Sequence, residues 1–338
     1  MIKISLLKKL LTLSLAAVTL CGTLGACASA PTDSGSVDAD LLTTQLTQPT
    51  QSTIATTKAP TTTLPTQPTY VPPMPDTENW TADASGSYAA YSTLIHDVTI
   101  DDSTSANDPP LPPLPAGETR LGYYEAKYAA VPPTIDGQND DACWATVPWA
   151  TIDQAWGYPI PADFTGRYKI VWNGSQLYYL VEITDDTLMA PYPDPLVDYY
   201  NNDCCELFID ENESGGDHTY NYNAFAYHCS IFGNVSDLGE DQQVHLFNNH
   251  VHYSIGRDGD KYLWEFAVTI YGEDFVYGQA NTPVQLYAGK DMGFAVAYCY
   301  CGLTGTREGF IGGVPILGDD KNVAWEDASV FAHLKLTN

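Results

Sequence analysis

The stretch Gln176-Leu177-Tyr178-Tyr179-Leu180-Val181-Glu182-Ile183-Thr184 decides the fold. In it Leu177, Tyr179, Val181 and Ile183 alternate with Tyr178, Leu180, Glu182 and Thr184. Successive side chains of a strand point to opposite faces, so a period of two marks a half-buried strand. Lys261 to Ile270 repeats the pattern, with Trp264, Phe266, Val268 and Ile270 set against Leu263, Glu265, Ala267 and Thr269. Further strands are expected at 167–173, 204–210, 219–228, 249–256, 292–300 and 331–336. Asn173-Gly174 and Asp258-Gly259 fall between neighbouring strands and read as type I′ hairpin turns. No amphipathic helix longer than two turns stands out. The expectation is an all-β domain over 119–338, an antiparallel β-sandwich large enough to bury a core without metal or disulfide help.

Outward from this domain the composition changes. Residues 1–26 carry Lys3, Lys8 and Lys9 with no acid, followed by an apolar run from Leu10 to Leu20. That run is shorter than the ~20 residues a membrane-spanning helix needs and reads as a signal peptide. It ends at Leu24-Gly25-Ala26-Cys27, which resembles a bacterial lipobox and predicts lipidation of Cys27. The expected address is the bacterial cell envelope, lipid-anchored to the membrane and facing outside the cytoplasm. Residues 27–118 read as the lipidated Cys and a disordered linker. Thr fills 13 of the 40 positions from Pro31 to Tyr70, and Pro runs follow at 71–75 and 108–115. Such a composition buries too little apolar surface to offset chain entropy. A small strand pair packing on the C-terminal domain is the alternative for 76–107.

The formal charge of -28 excludes one class of partner. Residues 121–338 hold 31 acids against 9 bases, and phosphate backbones are bound by Lys and Arg, so nucleic acid is not an expected partner. Six cysteines lie in the domain: Cys143, Cys204, Cys205, Cys229, Cys299 and Cys301. An exported domain could oxidise them, and six allow 15 pairings between which the sequence does not choose. Asp210-Glu211-Asn212-Glu213-Ser214-Gly215 resembles half a calcium loop, although position twelve is Asn221. His245, His250 and His252 cluster, and His250 and His252 share a strand face, a spacing that can hold a transition metal. No nucleophile elbow, zinc-protease helix or phosphate loop occurs. Asp203 and Glu206, three apart on one strand, point to opposite faces and do not form a glycosidase pair. The expectation is a non-enzyme with no required cofactor.

Five motifs in order resemble family 9 carbohydrate-binding modules. They are Ile135-Asp136-Gly137 with Asp140 and Trp144; Val171-Trp172-Asn173 through Asp185-Asp186; Asp203-Cys204-Cys205-Glu206-Leu207-Phe208-Ile209-Asp210; Trp264 to Ile270; and Trp325 to Leu336. The resemblance implies a sugar-binding β-sandwich that grips poly- or oligosaccharides, often at chain ends, between two aromatic rings. It places Trp325 on one ring and Tyr200 on the other, where the family pattern has Trp. It puts Glu206 on a sugar-hydroxyl acceptor. Asn223 falls roughly where the family often has Arg, and Ala297 near a Gln position. Structural calcium is part of what the resemblance implies, with Asp140, Asp141, Asp185 and Asp186 as further carboxylates. Two other readings of the same fold are a structural or protein-interaction module with a lost sugar site, and a haem-binding electron-transfer sandwich.

Overall fold

In the computed structural model, residues 92–338 are described. In chain order the strands are β1 (Ile95–Asp97), β2 (Tyr123–Tyr128), β3 (Ala150–Thr151), β4 (Gln154–Ala155), β5 (Thr165–Asn173), β6 (Gln176–Thr184), β7 (Cys204–Asp210) and β8 (Phe225–Ser230). They continue with β9 (Val235–Leu238), β10 (Val244–Leu246), β11 (Val251–Asp258), β12 (Lys261–Thr269), β13 (Asp291–Cys301), β14 (Arg307–Gly312) and β15 (Ala332–Thr337). Only short 3-10 turns accompany them among the described residues. The all-β expectation is met.

Hydrogen bonding runs without a break through β1-β11-β12-β6-β5-β2-β15-β13-β7-β8-β9-β10. The path folds over at β2 and β15 so that two layers face each other. Tyr168 of β5 meets Phe294 of β13 with ring centroids 6.0 Å apart, and Tyr253 of β11 donates to the Ser230 carbonyl of β8 at 2.6 Å. One face of each layer therefore buries its aromatic and branched residues against the other, as a sandwich does. The pairing is mixed rather than purely antiparallel: β1·β11, β2·β5 and β2·β15 are parallel.

Local chemistry differs from the sequence reading at several points. The hairpin loops are Gly174-Ser175 and Gly259-Asp260, since Asn173 pairs with Gln176 and Asp258 with Lys261. Positive φ occurs only at the glycine of each loop, the pattern of type II′ rather than type I′. The expected strand at 219–228 shortens to Phe225–Ser230, because 217–224 forms side-chain-capped turns such as Thr219 N–H to Asp217. β6 and β12 are buried on both faces, not one. The segment around Ile135–Trp149 covers their outer side, where Trp144 Nε1 donates to Glu265 Oε1 at 3.0 Å. Gly137 makes this cover fit. Its φ is +74°, and a Cβ there would lie 2.4 Å from the Gly256 nitrogen.

Ordered structure also begins before the expected boundary at 118. β1 pairs with β11, and Asp102 bridges Arg167 at 3.0 Å and Lys261 at 2.7 Å. Asp108 forms a buried pair with Lys169, whose Nζ also donates to the Trp144 carbonyl at 2.7 Å. Residues 92–118 are thus part of the domain, which corrects the linker reading there. Cys27 and the Thr-rich stretch lie outside the described residues. The six domain cysteines are buried and free.

Candidate functional site

The site is built on β7. Alternation sends Cys205, Leu207 and Ile209 into the sandwich and Cys204, Glu206 and Phe208 to the opposite face. Register then fixes the neighbours. Glu206 lies directly between His228 on β8 and Ala297 on β13, and Cys204 lies opposite Cys299. β14 pairs with the end of β13 and brings Arg307 over the same face. Two loops wall the space above. One carries Tyr199 and Tyr200 in a 3-10 turn after Asp198, whose φ is +52°; the other carries Asn322 and Trp325. The result is a cavity of about 570 Å³ lined by Tyr199, Tyr200, Glu206, His228, Arg307 and Trp325, with Leu196, Val197 and Phe310 adding apolar surface.

Tyr200 is 41% exposed, with the Arg307 guanidinium 5.5 Å from its ring centroid. Trp325 is half-buried, its Nε1 donating to the Asn322 carbonyl at 3.0 Å. Below them sits a polar group of four side chains, with Glu206, His228 and Cys299 buried and Arg307 half-buried. His228 Nε2 is 3.2 Å from Glu206 Oε2, Cys299 Sγ is 3.7 Å from that same oxygen, and Arg307 Nη1 is 3.7 Å from Cys299 Sγ. Glu206 Oε1 has no hydrogen-bond partner among the described residues. Burial pushes Glu206 up to about 7, against the pull of His228. Burial works against a charged His228, yet Glu206 and Cys299 beside it raise it to about 10. Burial likewise opposes ionisation of Cys299, but Cys204, His228 and Arg307 hold it well below the usual thiol range.

A carboxylate, a fixed imidazole and a guanidinium lining an aromatic-walled cavity suit a polyhydroxylated ligand with apolar C–H faces. The family described as carbohydrate family 9 binding domain-like matches residues 135–338. The chain belongs to that family. No curated protein matches the chain. Among solved structures it is similar to a carbohydrate binding module family 9 from Caldicellulosiruptor kristjanssonii, seen in complex with glucose and in complex with cellotriose. Each is 20% identical with a TM-score of 0.47 and covers 64% of this chain; the matched shares of those chains are 96% and 94%.

Within this family 9 domain, the sequence-expected residues Tyr200, Glu206 and Trp325 come together at one cavity. Asn223 does not join them. It sits in the 214–223 turn, where its Nδ2 donates to the Gly215 carbonyl at 2.7 Å. The position beside Glu206 belongs instead to His228, and the cation to Arg307. Neither was legible from spacing, because both arrive through strand register; pairing 204–210 with the next strand would have found His228. Ala297 is fully buried opposite Glu206.

The half calcium loop does not fit a cation. The Asp210 oxygens accept from Ser214 N–H at 3.2 Å and Gly215 N–H at 2.7 Å, and Glu211 pairs with Lys290 at 2.5 Å. The histidine cluster also separates. His250 is buried with its Nδ1 2.8 Å from the Tyr227 hydroxyl, His245 faces Asp241, and His252 is exposed. Of the other carboxylates, Asp185 accepts from the Tyr298 hydroxyl at 3.1 Å and Asp141 from Thr134 N–H at 2.8 Å.

Proposed function

We propose that the domain binds carbohydrate, without catalysis, in the cavity walled by Tyr200 and Trp325. The observation that carries this reading is the convergence of both rings with Glu206 and Arg307 around one space of about 570 Å³, room for one or two sugar rings. The aromatic faces take the apolar side of a pyranose ring, Glu206 at the floor accepts a hydroxyl, and Arg307 donates to ring or hydroxyl oxygens. That the family 9 module from Caldicellulosiruptor kristjanssonii is seen in complex with glucose and with cellotriose supports oligo- or polysaccharide as the class.

The leader and stalk extend the proposal. With Cys27 lipidated and a Thr/Pro-rich tether ahead of the sandwich, the chain displays the domain at a bacterial envelope, outside the cytoplasm. Isothermal titration against a panel of oligosaccharides tests the binding. Each ring covering about 80 Å² of apolar sugar surface contributes about 2 kcal/mol, so Trp325→Ala or Tyr200→Ala weakens binding about thirtyfold. Binding indifferent to both substitutions refutes the site, and no binding to any sugar refutes the function. Metabolic lipid labelling that survives Cys27→Ala refutes the anchor.

A further inference from the structure

Glu206 and His228 at the floor of the cavity, and Cys299 buried beside them, are three donors of different chemistry. Glu206 offers a carboxylate oxygen, His228 an imidazole nitrogen and Cys299 a sulfur, all within 4.8 Å of one another and all buried. We propose that Glu206, His228 and Cys299 form a binding site for a single zinc-class divalent transition metal. The site stands on its own geometry and holds whether or not the cavity binds sugar.

Three observations carry it. The first is spacing. Tetrahedral zinc with nitrogen and oxygen ligands at ~2.0–2.1 Å and sulfur at ~2.3 Å sets its ligand atoms about 3.4 Å apart for N···O and about 3.6 Å for S···O. The separations here are 3.2 Å for His228 Nε2 to Glu206 Oε2 and 3.7 Å for Cys299 Sγ to the same oxygen. With the third pair, His228 Nε2 and Cys299 Sγ, also within 4.8 Å, the three atoms stand near the spacing a single metal requires.

The second is tautomer control. His228 Nδ1 lies 3.2 Å from the Ala226 carbonyl. A carbonyl only accepts, so Nδ1 carries hydrogen and Nε2 is left as the atom facing Glu206 and Cys299. Metal-binding histidines are oriented in this way by an outer partner. Arg307 Nη1, 3.7 Å from Cys299 Sγ, stands as an outer donor on the sulfur.

The third is a vacancy in the hydrogen bonding. Glu206 Oε1 is fully buried and lacks a partner among the described residues, which is costly for a carboxylate oxygen. A metal on Oε2 that Oε1 also approaches, as in a bidentate carboxylate, satisfies it. Three protein ligands leave a fourth tetrahedral position for water or a ligand hydroxyl. The mixed sulfur, nitrogen and oxygen set selects zinc or cobalt over calcium and magnesium, which take oxygen alone. Binding displaces the proton shared by the His228–Glu206 pair and any proton on Cys299, so protons are released as metal enters.

The test uses the whole chain, stripped of metal and kept reduced, titrated with Co²⁺ as a spectroscopic stand-in for zinc. The expected result is one equivalent bound, with strong tetrahedral visible bands and a sulfur-to-cobalt charge-transfer band that zinc bleaches. Cys299→Ser removes the charge-transfer band, His228→Gln weakens binding at least tenfold, and Cys143→Ser, a buried cysteine elsewhere, leaves the spectrum unchanged. X-ray absorption of the zinc-loaded wild type needs no variant. One sulfur at about 2.3 Å among nitrogen and oxygen neighbours supports the site. No cobalt bands in the reduced protein, bands that persist in Cys299→Ser, or a shell without sulfur overturns it. Sugar titration of the metal-free protein is read separately, so failure of one proposal does not disguise failure of the other.

Discussion

Replacing Glu265 with Gln probes how the family's Ile135-Asp136-Gly137 signature is held to the sandwich. Glu265 is fully buried on β12. Its Oε2 accepts from the Asp136 and Gly137 N–H groups, each at 3.0 Å, and its Oε1 accepts from Trp144 Nε1 at 3.0 Å. Burial pushes the carboxyl up to about 7 despite these three donors. The folded value lies above the unfolded one of 4.5, so its contribution to stability is complete below pH 4.5 and is lost as pH rises through about 7. The span from 4.5 to about 7 corresponds to about 3 kcal/mol. Gln does not titrate. Its amide nitrogen must face the Trp144 N–H, a fixed cost of about 1–3 kcal/mol. Urea melts of both proteins between pH 4.5 and 8 give the difference in unfolding free energy. We expect wild type to lose about 3 kcal/mol relative to Glu265→Gln across that window. Asp185 and Glu206 also titrate high, but neither contacts Glu265, so their share cancels in the difference. A flat difference refutes the burial argument. One that grows with pH shows that the three donors outweigh burial and that the carboxylate is the folded form throughout.

Further outcomes follow from other contacts. Gly137→Ala lowers the melting temperature by an amount equivalent to at least about 2 kcal/mol, since a Cβ meets the Gly256 backbone and the left-handed φ adds about 1–2 kcal/mol; calorimetry reads it. A chain starting at residue 119 is less stable than one starting at 92, because removing Asp108 leaves Lys169 buried and unpaired, a loss of about 3–5 kcal/mol. Lys169→Met in the shortened chain recovers part of that loss in urea melts. Asn223→Ala leaves sugar affinity within about twofold while Glu206→Gln weakens it, since only Glu206 lines the cavity; titration calorimetry compares the two.

Local pattern made much of this fold readable. Leu177 to Ile183 and Trp264 to Val268 show period two, and their strands form where the alternation begins and ends. β2 escaped because its inward residues are Tyr124 and the small Ala126, too weak a stripe to register. β1 escaped because Ile95-His96-Asp97 has no pattern of its own and is held by parallel pairing to β11. The site divides the same way. Tyr200 and Trp325 stand in segments whose local order carries the family resemblance. His228 and Arg307 reach Glu206 and Cys299 by register across β7, β8, β13 and β14, which linear spacing does not display.

Two buried glutamates show what separates a structural acid from a functional one in this chain. Both interrupt strands that are otherwise apolar, and both are fully or nearly fully buried, so each carries a desolvation cost of several kcal/mol if ionised. Glu265 directs both oxygens at donors of its own chain and thereby closes the outer cover of the sheet. Glu206 engages one oxygen with His228 and leaves the other without a partner at the base of an open cavity. A buried acceptor in that state destabilises the domain until something outside the chain completes it. The asymmetry between the two acids is therefore a reason, separate from any likeness to other proteins, for the proposal that ligand binds on the β7 side of the sandwich.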